Sequence, residues 1–443
     1  MSTNIPWSVR DTRTGPVPLF ILQFDRHGTL TSPRSLTALV EAARDATDVV
    51  MISHGWNNDW QAATSRYGRF FDHLEQVASS RPGRRPYRPV YAGVFWPSAA
   101  LVMPSERGPD IAGPGAGLDQ QLSAELAVLE EDLGSEHAGR LQSILTDQDA
   151  GRQGLARLAD LLAALPAAGE DETHTLVPAE DGAALAAVWQ DTLSRLGSRP
   201  TRPGGIIADD RPATPQMAGL DPWGMLRGAV RLATVRQMKD RAGRVGGSGV
   251  AAALRTIAAR TPARLHLVGH SYGARVVLSA LCHGPAPSRP VDSVLLLQAA
   301  VSAYAFAEDV GGRPGGYRVA FDRVRSPIVT TRSANDLPLT RVFHLALRRR
   351  VDLGEAEIAG GPTSRFAALG GYGPQGADAE TLSLARMPDV GDPYPLDQHA
   401  SGAPPRLVAV DGTWCIPSHG GVETAPTAWA LASLVRAAGR APG

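Results

Sequence analysis

The feature that most constrains the fold is the stretch 264–281, in which an apolar strand pattern runs directly into a helical one. The two patterns meet at the sequence Gly-His-Ser-Tyr-Gly, residues 269–273. A serine raised on a sharp strand-to-helix turn leaves almost no room two positions before and after it, where backbones crowd. Gly269 and Gly273 meet that requirement because glycine has no β-carbon. The stretch therefore predicts a strained turn that presents the Ser271 hydroxyl at the end of a central strand.

The chemistry open to Ser271 depends on its neighbours. A serine hydroxyl is a poor nucleophile until a histidine takes its proton, and backbone N–H groups must then hold the oxyanion that forms. The backbone N–H of Tyr272, in the first turn of the following helix, is the expected first oxyanion donor. A glycine-flanked serine also occurs in ordinary strand–helix turns, and this chain has 47 glycines. The apolar strand before the motif and the helix after it favour the nucleophile.

Apolar runs of strand length alternate with helical patterns along much of the chain. Strands that alternate with helices pack as a mainly parallel sheet with helices on both faces. The expected fold class is therefore α/β, with a doubly wound sheet. The predicted strands are residues 17–24, 48–53, 90–96, 264–270, 291–298, 326–331 and 406–411.

The alternation stops between residues 99 and 247, where leucines recur at helical spacing. This region is predicted to be a helical insertion, or cap, placed before the Ser271 strand. Residues 1–98 and 248–443 then form the N-terminal and C-terminal parts of one core. The leucines that carry the pattern are Leu122, Leu126, Leu129, Leu133, Leu155, Leu158, Leu162 and Leu165.

One predicted helix of the insertion has an apolar face beside a basic one. Its apolar residues are Trp223, Leu226, Val230 and Ala233, and its basic residues are Arg227, Arg231, Arg236 and Lys239. Basic amphipathic helices lie on membrane surfaces, so peripheral membrane contact is one interpretation. Apolar stripes at helical spacing more often face a protein core. Burial against the core is the interpretation favoured here.

A second turn at the same sheet edge is expected after the strand 48–53. Its sequence, residues 54–59, is His-Gly-Trp-Asn-Asn-Asp. A glycine directly after a central strand lets the backbone turn its N–H groups towards the carboxyl edge, where ligands of open α/β sheets bind. The N–H of Trp56 or Asn57 is therefore the candidate second oxyanion donor. An asparagine-rich cap for the helix predicted over 61–78 explains the same residues, and the two roles are compatible.

Two further residues, which lie later in the chain, complete a candidate catalytic triad. A triad needs an imidazole that reaches the serine and a carboxylate that fixes the tautomer of that imidazole. Asp336 follows the strand 326–331, and His419 lies in the loop after the last strand. Asp336 also fits a helix cap, and His419 an ordinary loop histidine. Alternative acids are Asp309, Asp322 and Asp411, of which Asp411 ends the strand that delivers His419.

Two further histidines, His54 and His270, are expected near this edge. Each precedes a turn whose backbone is needed, so these histidines and Gly55 are predicted to line the pocket rather than to act as bases. No histidine or cysteine pair has the spacing typical of a metal site. No metal and no cofactor are expected.

The charge balance argues against some classes of partner. The 443 residues include 44 basic and 44 acidic side chains, so no bulk field attracts nucleic acid. The two cysteines, Cys282 and Cys415, do not make a disulfide framework. The N-terminus lacks a signal-peptide pattern, and no apolar run is long enough to span a bilayer. A cytoplasmic protein is the resulting expectation.

Taken together, these motifs resemble the α/β-hydrolase superfamily, and more closely a bacterial branch of serine esterase-like and lipase-like proteins. The likeness is carried by residues 54–58, 95–98 and 269–275, with Asp336 after a strand and His419 in a late loop. The order serine, acid, histidine is the order found in that superfamily. The resemblance implies hydrolysis of a small-molecule or lipid ester, or of a thioester, through an acyl-serine intermediate. In that chemistry the histidine is the base and the acid orients it.

Two other functions stay open on the sequence. The apolar faces of the insertion fit a slow or inactive hydrolase-like scaffold that binds a partner or a lipid through its helices. The same nucleophile also serves in acyltransferases, where an alcohol or an amine replaces water as the acceptor.

Overall fold

The computed structural model describes the chain in segments. The described residues are 5–12, 15–80, 87–98, 139–141, 143–144, 151–163, 182–183, 186–187, 190, 222–343, 367–397 and 404–439. Much of the predicted insertion, including Leu122, Leu126, Leu129, Leu133 and Leu165, lies outside these residues.

Within the described residues, nine strands form one sheet in the order β1-β2-β4-β3-β5-β6-β7-β9-β8. Strand β1 is antiparallel to β2, and every other neighbouring pair is parallel. The predicted mainly parallel α/β sheet is confirmed. The strands are β1 (Ser8–Thr12), β2 (Gly15–Gln23), β3 (Asp48–Ser53), β4 (Pro89–Phe95), β5 (Arg264–His270), β6 (Ser293–Leu297), β7 (Ile328–Arg332), β8 (Thr381–Leu384) and β9 (Leu407–Asp411).

The two strands that the sequence analysis missed, β1 and β8, lie at the two edges of the sheet. An edge strand has fewer buried side chains than a central one and so needs no continuous apolar run. Strand β1 has no fully buried residue, and β8 is four residues long with none fully buried either. Neither strand therefore leaves the apolar signal that identifies the other seven.

The central strands are apolar because both faces of the sheet are covered. Strands β3 and β6 are buried along their whole length, as expected for parallel strands between two helical layers. The register of β3 against β5 runs from Asp48 opposite Arg264 to Ser53 opposite Gly269. Both strands therefore end at the same level of the sheet, which places the turns that follow them side by side.

Helices form a layer on each face of the sheet. The helices are α1 (Pro33–Ala42), α2 (Trp60–Ser80), α3 (Gly151–Ala163), α4 (Pro222–Arg244), α5 (Ala251–Arg260), α6 (Tyr272–Cys282), α7 (Ala320–Arg323), α8 (Leu369–Tyr372) and α9 (Ala425–Ala438). Helices α1, α4, α5 and α6 share one apolar core with the sheet, and α2 and α9 share the other. Helix α9 starts at a capping box formed by Thr424 and Thr427, which anchors the end of the loop after β9.

Helix α4 continues through a π-helical segment, Val245–Val250, directly into α5. The predicted boundary between insertion and core, at residue 247, falls inside this segment. Helix α4, at the end of the predicted insertion, and helix α5, which precedes β5, are therefore one continuous helical element.

The amphipathic helix of the sequence analysis corresponds to α4. Val230 and Val235 are buried, and Lys239 on the predicted basic face is buried as well. Burial of Val230 and Lys239, one residue from each predicted face, agrees with packing against the core. The side chains of Trp223 and Leu226 lie outside the described part of the structure. Within the part that is described, no helix combines the length and the apolarity that a bilayer crossing requires.

A buried polar network joins the amino ends of three central strands. Asp48 accepts hydrogen bonds from Arg264 (2.8 and 2.9 Å) and from Nε2 of His266 (2.9 Å), whose Nδ1 lies 2.8 Å from the Ser293 hydroxyl. Burial alone raises the pKa of Asp48, but the hydrogen bonds from His266, Arg264 and Thr47 outweigh it and lower the pKa to about 2. The network links β3, β5 and β6 and supports their register.

Replacing Asp48 by asparagine is expected to lower the free energy of unfolding at pH 7 by about 3 kcal/mol, because a buried ion pair then loses one partner. The folded-state pKa is below the unfolded value of about 3.9. The stabilisation is therefore complete above that value and is lost as the pH falls towards 2. Urea denaturation at pH 7 and at steps below pH 5 measures both effects. The exposed Asp45→Asn is the matched control, and equal losses in the two variants would contradict the assignment.

Candidate active site

Ser271 lies on the turn between β5 and α6 in a strained backbone conformation. Its φ is 55° and its ψ is −124°, in a region that residues with a side chain rarely adopt. Hydrogen bonds hold the turn against the end of β6: Ser271 N–H donates to Leu297 O (3.1 Å), and Ala300 N–H donates to Ser271 O (3.2 Å). The predicted strained strand-to-helix turn is therefore present, and Ser271 is 4% exposed.

The two glycines that flank Ser271 are required by the packing of backbones. A β-carbon at Gly269 would lie 2.5 Å from the Cα of Ala274, and one at Gly273 would lie 2.5 Å from the carbonyl oxygen of His54. Real β-carbons do not approach other atoms so closely. The glycines let the start of α6 pack on the end of β3, which brings the turn after β3 to Ser271.

His419 links Ser271 to Asp336 through two short hydrogen bonds. Nε2 of His419 lies 2.8 Å from Oγ of Ser271, and Nδ1 lies 2.7 Å from Oδ2 of Asp336. A carboxylate accepts, so Nδ1 carries the proton and Nε2 is left to accept from the hydroxyl. The Asp336 side chain is fully buried, whereas His419 is 23% exposed. The structure thus brings together the three predicted triad residues in an arrangement that can pass a proton from the hydroxyl to the imidazole.

Asp336 makes contacts of both kinds that the sequence left open, one with His419 and one at the start of a helical turn. Besides His419, its carboxylate accepts the backbone N–H of Leu339 through Oδ1 (3.0 Å). This bond caps the helical turn that follows. The same hydrogen bond fixes Oδ1 of Asp336, so the capping interaction also orients the carboxylate.

The alternative acids lie elsewhere and have other partners. Asp309 accepts the backbone N–H of Gly312. Asp322 pairs with Arg406 at 3.5 Å, and Asp411 pairs with Arg332 at 2.8 Å. The geometry therefore favours Asp336 among the four candidates.

The backbone of the His419 loop is held by two side chains. Nε2 of His270 donates to the carbonyl oxygen of His419 (2.8 Å). Arg66 donates to the carbonyl oxygen of Gly420 (2.8 Å) and pairs with Glu423 (2.7 Å). Burial, together with repulsion from Arg66 and from His419 when it is protonated, lowers the pKa of His270 well below its ordinary value, so its ring is neutral. The sequence analysis predicted that His270 lines the pocket. In the structure its ring nitrogen holds the loop that carries His419.

The turn after β3 approaches Ser271 through Gly55. A β-carbon at Gly55 would lie 2.6 Å from the β-carbon of Ser271 and 3.2 Å from its hydroxyl oxygen. Among the described residues, no backbone or side-chain group accepts the N–H of Trp56 or of Tyr272. These two N–H groups remain candidates for an oxyanion site.

Asn57 is not an available oxyanion donor, contrary to the alternative drawn from the sequence. Its backbone N–H donates to the carbonyl oxygen of Ser98 at 2.9 Å. Its φ of 62° places it at the bend of the turn. The cap of α2 is Asp59, whose Oδ1 accepts the N–H of Ala62 (2.7 Å), and not an asparagine. Between Trp56 and Asn57, Trp56 is therefore the remaining candidate.

His54 and Asn58 fix the direction of the Gly55–Trp56 peptide. The Gly55 carbonyl oxygen accepts from Nδ1 of His54 (2.8 Å) and from Nδ2 of Asn58 (3.1 Å). In a trans peptide the N–H points opposite to the C=O, so the Trp56 N–H faces away from both donors. Burial lowers the pKa of His54 to about 4, and its neutral ring stacks on Trp96. His54 is thus a support of the turn, buried in the core.

The sequence analysis did not assign a supporting role to three residues that hold the site. Gln298 donates to Oδ2 of Asp336 (2.9 Å), Arg66 holds the His419 loop, and Asn58 orients the Gly55 carbonyl. For Gln298 a signal was available, because it is the first polar residue after the buried run of β6 and so lies at the same edge as Ser271. Arg66 has no such signal, since helix α2 places it beside a loop far along the chain.

Comparison with known proteins finds no matching family model, no matching curated protein and no matching solved structure. Among the described residues, no group of three or more histidine, cysteine, aspartate or glutamate side chains is placed to hold a metal ion.

Replacing Gly273 by alanine tests the packing beneath Ser271. Alanine favours a helix over glycine by about 1 kcal/mol, but its β-carbon would overlap the backbone at the end of β3. Overpacking of this kind costs roughly 1–3 kcal/mol or more. We expect the clash to outweigh the helix preference, so that Gly273→Ala lowers the unfolding free energy. At Gly68, also in a helix, the nearest atom to an added β-carbon is 3.9 Å away. Gly68→Ala should therefore stabilise, and stabilisation by both substitutions in urea titrations would contradict the packing argument.

Proposed function

We propose that this protein is a serine hydrolase that cleaves a carboxylic ester or a thioester through an acyl-Ser271 intermediate. The observation that carries the proposal is the hydrogen-bonded chain from Oγ of Ser271 through His419 to Asp336. A hydroxyl, an imidazole and a buried carboxylate in this order are the groups that general-base activation of a serine requires. The strained turn supports the proposal, since it holds the hydroxyl at the edge of the sheet.

The proposed reaction begins with attack of Oγ of Ser271 on the substrate carbonyl carbon, while Nε2 of His419 takes the hydroxyl proton. The negative charge that develops on the carbonyl oxygen is held by the N–H groups of Trp56 and Tyr272. The bond from carbon to the leaving oxygen or sulfur then breaks, and His419 gives its proton to the departing alcohol or thiol. Asp336 stabilises the charged imidazole between these two transfers.

Water completes the cycle in the second half of the reaction. His419 takes a proton from a water molecule whose oxygen attacks the acyl carbon. The bond from that carbon to Oγ of Ser271 breaks, His419 returns the proton to Ser271, and the carboxylic acid leaves. The partial exposure of His419 supports water as the acceptor in preference to the acyltransferase alternative.

We also infer that the chain belongs to the α/β-hydrolase superfamily. Ser271, Asp336 and His419 follow β5, β7 and β9, and the chain order serine, acid, histidine agrees with that superfamily. The helical insertion between β4 and β5 fits a cap, because its helix α4 covers the nucleophile turn: the Tyr272 hydroxyl donates to the carbonyl oxygen of Val235 (3.3 Å).

The alternative of an inactive scaffold is less well supported by the site. A vestigial site has no need of a hydroxyl 2.8 Å from an imidazole nitrogen, or of a carboxylate held by further donors. The expected cytoplasmic location stays part of the proposal, and the two free cysteines, Cys282 and Cys415, agree with a reducing compartment.

Covalent labelling tests the nucleophile. A fluorophosphonate probe is expected to label the wild-type protein and to leave Ser271→Ala unlabelled, because the probe captures the activated serine. Turnover of a short p-nitrophenyl ester should disappear in the same variant. Ser418→Ala, which removes an exposed hydroxyl next to the base, is the control and should label normally. Labelling of Ser271→Ala at the wild-type level would refute the assignment.

The acid is tested by paired asparagine substitutions. Asp336→Asn should lower kcat by roughly 10⁴-fold, because an amide no longer holds His419 in the tautomer that accepts the serine proton. Asp411→Asn removes the acid that pairs with Arg332 and should leave kcat within a few-fold of wild type. Steady-state kinetics on one ester measure both variants. The reverse order of effects would move the role to Asp411.

The oxyanion turn is tested at Asn58. Asn58→Asp keeps the side-chain shape but replaces the amide donor that holds the Gly55 carbonyl oxygen. The Gly55–Trp56 peptide then loses one of its two anchors, and we expect kcat to fall by about 10-fold or more with little change in KM. A variant that raises KM alone would show that the turn contributes to binding and not to stabilisation of the oxyanion.

A further inference from the structure

We infer that Gln298 is a positioning residue that holds Asp336 in the orientation His419 requires. This role rests on the proposed function, because a positioned acid matters only where His419 acts as a base. Gln298 directly follows β6, between the strands that deliver Ser271 and Asp336. It is fully buried and does not touch the substrate side of Ser271 in any described contact.

The backbone at Gln298 adopts a conformation that disfavours any residue with a side chain. Its φ is 46°, one of three positive values at non-glycine residues in the described part of the chain, and Ser271 has another. Such a conformation costs of the order of 1–3 kcal/mol, and glycine would avoid that cost. A buried glutamine at this position therefore indicates that its carboxamide makes contacts worth the strain.

Those contacts fix which end of the carboxamide faces the acid. The Gly370 carbonyl oxygen can only accept, so the group 3.2 Å from it must be the NH₂. The Thr331 hydroxyl accepts the backbone N–H of Gln298 (3.1 Å) and donates to Oε1 of the Gln298 side chain (2.9 Å). With both ends held, the second N–H of the amide points at Oδ2 of Asp336, 2.9 Å away.

The oxygen that Gln298 contacts is the one that serves the base. Oδ2 of Asp336 accepts from Nδ1 of His419 (2.7 Å) and from Nε2 of Gln298 (2.9 Å), while Oδ1 accepts from Leu339 N–H. Three donors in fixed positions prevent rotation of the carboxylate. The amide also withdraws negative charge from Oδ2, which weakens the stabilisation of a protonated His419 by Asp336. Gln298 thus acts on His419 through the acid.

Four variants separate this role from general stability. Gln298→Gly removes the amide and relieves the backbone, and Gln298→Met removes the donor at similar side-chain length. Thr331→Val removes the hydroxyl that orients the amide. Thr330→Val, one residue earlier on β7, removes a buried hydroxyl that has no hydrogen-bond partner among the described residues, and is the control.

The glutamine variants are expected to lose about 10- to 100-fold in kcat with KM nearly unchanged, because a small misplacement of a catalytic group has effects of that size. The kcat of Thr331→Val should fall between those of the glutamine variants and wild type, and the kcat of Thr330→Val should match wild type. The acidic limb of the pH–rate profile should shift in Gln298→Gly, since the contact between Asp336 and His419 changes. The other groups near His419, namely the His270 ring 5.1 Å away and Arg66, are the same in all variants. The melting temperature of Gln298→Gly should change little, because relief of the positive φ offsets the loss of the buried amide contacts.

Proton NMR supplies a readout that does not need turnover. The Nδ1–H of His419, in a short bond to Asp336, should give a far-downfield resonance that is absent in His419→Gln. Gln298→Gly should shift or broaden it, and Thr330→Val should not. An unchanged resonance and an unchanged acidic limb in Gln298→Gly would overturn the role of Gln298. If the wild-type protein shows no Ser271-dependent turnover, the proposed function is overturned instead. The His419 resonance would still decide the role of Gln298.

Discussion

The close backbone contact between the end of β3 and the start of α6 is the constraint on which the site depends. Gly273 lies so near the carbonyl oxygens of Ser53 and His54 that no β-carbon fits between them. This contact, together with the parallel pairing of β3 and β5, places the turn after β3 against the Ser271 turn. The identity of the N–H groups that can face the hydroxyl is therefore decided by backbone packing, before any side chain is considered.

The described chain contains two hydrogen-bonded sets of serine, histidine and aspartate, at opposite ends of the sheet. One comprises Ser293, His266 and Asp48, and the other comprises Ser271, His419 and Asp336. The first set is fully buried and its carboxylate is also paired with Arg264, so no substrate can reach it. In the second set the imidazole is partly exposed and the serine sits on a strained turn. Access and backbone geometry, and not residue type, separate a structural network from a candidate catalytic one.

Most of the strands and the candidate nucleophile were predictable because both leave local patterns. Apolar runs mark seven of the nine described strands, and glycines at fixed offsets mark Ser271. A local pattern does not reveal which supporting residues contact the site. Gln298 contacts Asp336, 38 positions along the chain, and Arg66 contacts Gly420, 354 positions along the chain. Asn57 is the opposite case: its position fits an oxyanion donor, but its N–H pairs with Ser98 in the loop after β4. Which polar group meets which is decided by tertiary packing.

The segment of the chain between β4 and β5 begins and ends beside the two candidate oxyanion donors. At its start, Ser98 holds Asn57 through its carbonyl oxygen and Asn58 through its hydroxyl, which braces the turn that carries Trp56. At its end, helix α4 accepts the hydroxyl of Tyr272 and continues into α5 and the nucleophile strand. Both candidate donors are therefore held by residues near the start and near the end of this segment. The two candidate donors thus depend on contacts with this segment, whereas Arg66 holds the His419 loop from the other face of the sheet.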